Sequence, residues 1–236
     1  MHNSRNGHNG HKMAMPTRWE TVMFDPLAYI HRERLHLRGR FDMPTQRAAA
    51  NRLLLDGYGL TSGTVPAIPQ HTGTEKLLLK QWFHLSQIVF LLGCQSLQLE
   101  LSRRGAILRM SASVRAFLTQ PCLQRPGCAA TAANDPQTTA HCGRGALLRE
   151  GLRRLRTILG ELPEALAQRI PLLLPPEFDS VAEAEKPAVV PIHHACDSSH
   201  ALTLTMAIQH VKRYGWRGGA GGGCDIARAG GFRSSN

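Results

Sequence analysis

Seven residues in the second half of the chain have the chemistry of zinc ligands: Cys122, Cys128, His141, Cys142, His193, His194 and Cys196. Structural zinc takes four nitrogen or sulfur ligands in a tetrahedron, and the ligands usually come as two close pairs. Cys122 and Cys128 are too far apart for a knuckle, His141 and Cys142 are adjacent, and His194-x-Cys196 is a poor pair. The spacing therefore points to ordinary loop thiols, and no metal is assigned. The histidines of the polar start (His2, His8, His11) could hold a metal only loosely. A Cys/His hydrolase needs a nucleophile, a base and an orienting group close in space, and no sequence spacing here selects one. The glycine run Gly218–Gly223 lacks the G-K-[ST] ending that grips phosphate and follows no strand, so it reads as a flexible tail. No catalytic residue and no cofactor-binding residue is assigned.

The remaining candidate chemistry is charge. Arg149, Arg153, Arg154 and Arg156 crowd one predicted helix over 144–160, whose other side carries Leu148, Leu152, Leu155, Leu159 and, just beyond, Leu162. The whole chain has a net charge of +11 and a pI near 10.1. Such a surplus suits anionic partners: nucleic acid, an acidic protein face or an anionic membrane face. A solvated arginine face is the plainer reading of the same charge. Helix-turn-helix readers place a basic helix in the DNA major groove, so a basic helical nucleic-acid binder is the alternative function. Against it, the leucine stripe commits one side of this helix to packing, and no basic strand interleaved with aromatics marks an RNA-binding sheet.

The elements that must position these residues are mainly helical. Thr74 to Leu118 is the longest proline-free run and the most apolar. Leu78, Trp82, Leu85, Val89 and Leu92 step by four and three, one face of a helix. Phe83, Phe90 and Leu91 widen that face, which predicts burial on more than one side. Gly93 predicts a kink or the close approach of a neighbour. Gly105 separates a second helix bearing Ile107, Met110, Val114, Phe117 and Leu118, which Pro121 ends. His84, Ser86 and Gln87 interrupt the apolar run, which is too polar to span a membrane.

Upstream, order begins near Trp19, and Asp25 before Pro26 predicts a cap on a short helical turn. Phe24, Leu27, Tyr29, Ile30 and Leu35 pin this opening segment to the core, and Arg32, Arg34, Arg38 and Arg40 make the next loop basic. A helix follows from Pro44-Thr45 through Leu55, closed by Asp56-Gly57-Tyr58-Gly59 with a left-handed glycine cap. Downstream, Pro163-Glu164 starts a short helix. The proline-rich stretch Arg169–Pro176 and the segment Pro187–His194 predict short extended pieces. Glu177, Asp179, Glu183 and Glu185 form the acidic patch, and Asp197-Ser198 caps a last helix to Tyr214, with Leu204, Ile208 and Val211 on one face.

The expected architecture is mainly α: one helical domain over 18–214 with minor short extended segments and an internal loop at 121–143. The termini, 1–17 and the glycine-rich 215–236, are expected to be disordered. The start has no apolar signal-peptide core, so the six cysteines are expected to be reduced thiols in the cytosol, with Cys94 a small buried hydrophobe.

The order of these segments resembles a known family. Phe24-Asp25-Pro26-Leu27-Ala28-Tyr29-Ile30-His31 looks like the F-x-P-x-x-Y-[LI]-H opening of the YscK-like (SctK) components of bacterial type III secretion. Asn51–Leu60 is similar to that family's LL-x-x-[FY]-x-L segment. The apolar centre Leu77–Leu118, ending in Arg115-Ala116-Phe117-Leu118, and the stretch Gly145–Leu174, closing in Arg169-Ile170-Pro171-Leu172, complete the order over roughly residues 20–214. Within the family the chain resembles most the rhizobial nodulation (NolU) branch. The resemblance implies a non-enzymatic cytoplasmic adaptor, peripheral at the cytosolic face of the inner membrane. It implies as partners the cytoplasmic domain of the inner-membrane ring protein and the pod (C-ring) protein of the sorting platform, and indirectly the stator and export ATPase. No nucleic acid is expected. On this reading Phe24, Pro26 and Tyr29, with Arg149, Arg153 and Arg154, are the candidate interface residues. For the first three, packing of the N-terminus is the competing role.

Overall fold

The structure, a computed structural model, describes residues 17–36, 41–61, 73–120, 143–159, 162–179 and 197–214. The two segments expected to be disordered, the loop thiols and histidines considered as zinc ligands, Arg38, Arg40 and the segment Pro187–His194 all lie outside these residues, apart from Thr17. Within the described residues the chain is helical, with no strand and no group of His, Cys, Asp and Glu able to hold a metal.

The centre is α4 (Leu85–Ser96), which buries Leu85, Ser86, Ile88, Val89, Leu91, Leu92, Gly93 and Cys94. Residues buried all round a helix leave no solvent face, so α4 must be enclosed by other elements. The principal one is α7 (Arg144–Leu159), which buries Leu147, Leu148, Gly151, Leu152, Leu155 and Leu159. The two helices meet through their glycines. A Cβ added to Gly93 would fall 1.8 Å from the Leu147 carbonyl oxygen, and one added to Gly151 would fall 1.8 Å from that of Val89. Only hydrogen fits at either place, so the backbones come closer than any side chain would allow. The C-terminal helix α9 (Asp197–Tyr214) covers further sides of α4 and α7 with Leu204, Ala207, Ile208 and Val211. The helix α6 (Ala112–Leu118) closes the remainder with Phe117 and Leu118. Cys94 is buried and free, and burial pushes its thiol pKa up, as expected of a structural cysteine.

The single helix predicted from Thr74 up to the break at Gly105 is instead three pieces: α3 (Gly73–Lys80), a single 3-10 turn Trp82–His84 leading into α4, and α5 (Gln98–Arg103). The breaks fall at Gln81 and Leu97, whose ψ angles of 14° and 18° leave the helical well. The predicted stripe survives the breaks, since Leu78, Trp82, Leu85, Val89 and Leu92 are all buried. Gly105 does divide the chain, at a left-handed φ of 64°. The next stretch is again two pieces, a 3-10 turn Ala106–Arg109 and then α6, whose start the Ser111 hydroxyl caps by accepting from the Val114 amide.

The N-terminal part begins with α1 (Arg18–Phe24). Its first turn is closed by a capping box in which Thr17 and Glu20 exchange side-chain and backbone bonds. The helix α2 (Pro44–Gly57) starts on a proline. The chain leaves it through Gly59, φ 58°, where the Leu60 amide reaches back to the Leu55 carbonyl and the Gly59 amide to that of Asp56. This is the predicted glycine cap. After α7 the short α8 (Glu164–Ala167) follows Pro163 as expected. Arg169–Pro176 is not extended. Pro171 and Pro176 each begin a 3-10 turn, Pro171–Leu173 and Pro176–Phe178, because a fixed proline φ suits the first position of a helical turn and needs no amide there.

Candidate docking surfaces

The opening segment is positioned by polar side chains. Asp25 does not cap the turn Pro26–Ala28, contrary to expectation. Its carboxylate instead accepts from Arg47 on α2 at 2.7 Å and from the Asn51 amide at 2.7 Å, while the Asn51 oxygen accepts from the Leu27 backbone amide at 3.0 Å. A helical cap would have used the same carboxylate on one amide, whereas here it ties α1, the turn and α2 together. Tyr29 is buried, donates its hydroxyl proton to the Val22 carbonyl at 2.8 Å and stands edge-on to Trp82. Burial pushes its pKa up, and the Arg169 guanidinium beside it pulls the other way.

Two arginines complete the clamp, and sequence reasoning placed neither correctly. Arg34, read only as one of four arginines that make a loop basic, is 2% exposed and paired with Asp179, 51% exposed. Its guanidinium also donates to the carbonyls of Leu174 and Pro175. Arg169 is fully buried, and its guanidinium donates to the carbonyls of Ala165 at 2.7 Å, Met23 at 2.9 Å and Thr61 at 3.3 Å. The backbone bond from His31 to Leu172 at 2.7 Å joins the same two regions. Arg169 therefore satisfies carbonyls that helix ends and turns would otherwise leave unpaired. The one available signal was its position just before an apolar, proline-bounded run, where a charge needs partners.

Of the opening-segment candidates, Pro26 and Tyr29 are buried and only Phe24, 40% exposed, reaches the surface. On α7, Arg149 is exposed, Arg153 is exposed and bonded to Glu150 at 2.6 Å, and Arg154 is half-buried and donates to the Ser96 hydroxyl of α4 at 2.9 Å. The structure does not join the two candidate surfaces. Phe24 rides on α1, which packs on α2 and α3, whereas the arginines ride on α7, which packs on α4 and α9. What the arrangement offers is recognition. A rigid helical body presents an aromatic edge on one side and guanidinium groups on another, suited to apolar and acidic contacts.

Among the described residues no helix is long and apolar enough to cross a membrane. No solved structure matches the chain. The oxygen-regulated invasion protein OrgA of Salmonella typhimurium, in strains 14028s, SL1344 and LT2, is 33% identical over 204 residues, covering 86% of this chain and 91% of the relative. Residues 19–213 match the family described as bacterial type III secretion apparatus protein (OrgA_MxiK). With that match spanning α1 to the end of α9, the chain belongs to the OrgA/MxiK (SctK) family of type III secretion apparatus proteins, structural parts of the machine rather than enzymes.

Proposed function

We propose that this protein is the adaptor of a type III secretion sorting platform, linking the cytoplasmic domain of the inner-membrane ring protein to the pod protein, and through it the stator and export ATPase. It acts in the cytoplasm, at the cytosolic face of the inner membrane. The observation that carries the reading is the family match over nearly the whole helical body. The separation of the two candidate surfaces onto different packing units supports it, because a linker needs two faces. Phe24 is the contact residue of the first face, with Pro26 and Tyr29 holding it in place from inside. Arg149 and Arg153 are the contacts of the second, and Arg154 anchors that face to α4. A nearer kinship to the nodulation branch than to the invasion proteins is a finer placement that a tree of full-length family sequences decides.

An affinity pull-down of the tagged protein from its own cells, with nuclease added and read by mass spectrometry, tests the reading. Ring and pod proteins are the expected recoveries. The double charge reversal R149E/R153E should lose one of the two while the Phe24→Ser variant loses the other. If both variants, folded, keep both partners, the assigned surfaces are wrong; if the wild type recovers neither while the secretion genes are expressed, the adaptor reading fails.

A further inference from the structure

The most exposed large apolar side chain of the described residues is Leu108, with 72% of its surface in solvent, on the 3-10 turn Ala106–Arg109. Leu99, 57% exposed, sits on α5, the helix packed against that turn. Their neighbours face the other way: Leu101 is buried, and Ala106, Ile107 and Met110 pack on the core. Both elements are thus anchored from behind and each aims one leucine outward. Gly105 makes the sharp corner between them.

The charge around this corner is predominantly positive. From Leu101 through Gln120 the chain carries four arginines and no carboxylate. Arg103, Arg104, Arg109 and Arg115 lie at or just after the corner and all four are exposed. Glu100, bonded to Arg103 at 2.8 Å, is the acid at its edge. The backbone of the corner is already satisfied: the amides of Arg104, Gly105, Leu108 and Met110 donate to Glu100, Ser102, Gly105 and Ile107. A turn with its amides paired loses little on leaving water, which an irregular loop could not do.

We propose that this corner is a contact with an anionic phospholipid surface, in which Leu99 and Leu108 enter the boundary between headgroups and acyl chains while Arg104 and Arg109 meet lipid phosphates. A residue as exposed as Leu108 stands on a protruding corner, not in a groove that would seat a partner helix. Apolar tips ringed by cations are the arrangement by which proteins lie on a membrane without crossing it.

Flotation of the purified full-length protein with vesicles tests this, using phosphatidylcholine alone and phosphatidylcholine with one third phosphatidylglycerol. Binding is expected to the anionic vesicles only and to weaken with added salt. The L99S/L108S variant should bind roughly tenfold more weakly or worse, from the apolar area withheld. The R104E/R109E variant should bind roughly 25-fold more weakly or worse, at roughly fivefold for each cation removed. Circular dichroism and urea midpoints confirm that both variants are folded. Equal binding to both vesicle types, no binding at low salt, or undiminished binding by folded L99S/L108S would overturn the proposal. So would loss of a protein partner by that variant with vesicle binding intact, since the corner would then be a protein interface. The measurement contains no secretion protein, so its failure leaves the adaptor reading standing.

Discussion

The crossing of α4 and α7 and the clamp around the opening segment hold the same molecule together by opposite means. The crossing is apolar and steric: leucines on both helices and two glycines that let backbones touch. The clamp is polar and spans distant segments. Asp25 reaches Arg47 and Asn51, Arg34 reaches Asp179, and Arg169 reaches Met23 and Thr61. The first depends on shape, which salt and pH barely touch. The second depends on the pairing of buried polar groups, where one missing partner leaves another unsatisfied. A tightly packed centre with a separately fastened N-terminal flank suits the adaptor with two faces proposed above.

The largest expected effect comes from breaking the shape. Gly151→Ala or Gly93→Ala puts a methyl where a carbonyl oxygen lies, so α4 and α7 must separate. Roughly 3 kcal/mol or more of stability should be lost, seen as a lowered urea midpoint. An unchanged midpoint would mean that the helices are not in backbone contact. Next comes the clamp. Arg169→Met keeps the stem volume but orphans the carbonyls of Met23 and Thr61, and should cost about 2–3 kcal/mol. Asp179→Asn, whose carboxylate is half in water, should cost under about 1 kcal/mol. If the two substitutions cost the same, the ion pair holds the clamp as firmly as the carbonyl bonds do.

The smallest effect sharpens the comparison through pH. His210 on α9 is buried between the Phe117 and Tyr214 rings, with its Nε2 bonded to the Ser113 hydroxyl at 2.9 Å. Its Nδ1 is buried without a partner. Burial lowers its pKa, with the Ser113 bond opposing. The unfolded imidazole therefore takes up a proton near its ordinary pKa of about 6.5 while the folded one resists. The unfolded state then binds more protons, so stability is full above that pH and declines as pH falls through it. His31 and His84 are lowered chiefly by burial as well and act in the same direction. His210→Gln should flatten, without abolishing, the loss of stability between neutral and mildly acidic pH. An identical slope in the variant would show that this imidazole does not contribute.

The crossing was legible and the clamp was not, for one physical reason. Leu78, Trp82, Leu85, Val89 and Leu92, like Leu148, Leu152, Leu155 and Leu159, repeat at helical spacing, so each residue vouches for the next. Gly93 stood out because it interrupts such a run, whereas its counterpart Gly151 sat unmarked among arginines. Periodicity tolerates a local break, which is why Gln81 and Leu97 could end helices without disturbing the stripe. The clamp uses single residues from remote segments, and Arg34 among other arginines carries no mark that distinguishes a buried cation from a solvated one. The proline-rich run misled because proline bars helix interiors yet suits the first position of a turn. On the surface, Arg149 and Arg153 lie on the exposed arginine face that the leucine stripe implied, whereas Phe24, expected to pin the opening segment, is 40% exposed, and Pro26, Tyr29 and Arg154 are built inward.

The separation of α4 from α7 along the chain also has a consequence in time. Ser96 and its partner Arg154 lie 58 residues apart. At ordinary rates of synthesis the ribosome needs roughly 3–12 s to deliver the second helix after the first. Throughout that interval the greasiest helix of the protein has left the ribosome, or is leaving it, without the surface it was shaped to meet. The core therefore cannot close until translation has supplied α7 and then α9, and its completion waits on synthesis rather than on the packing step itself.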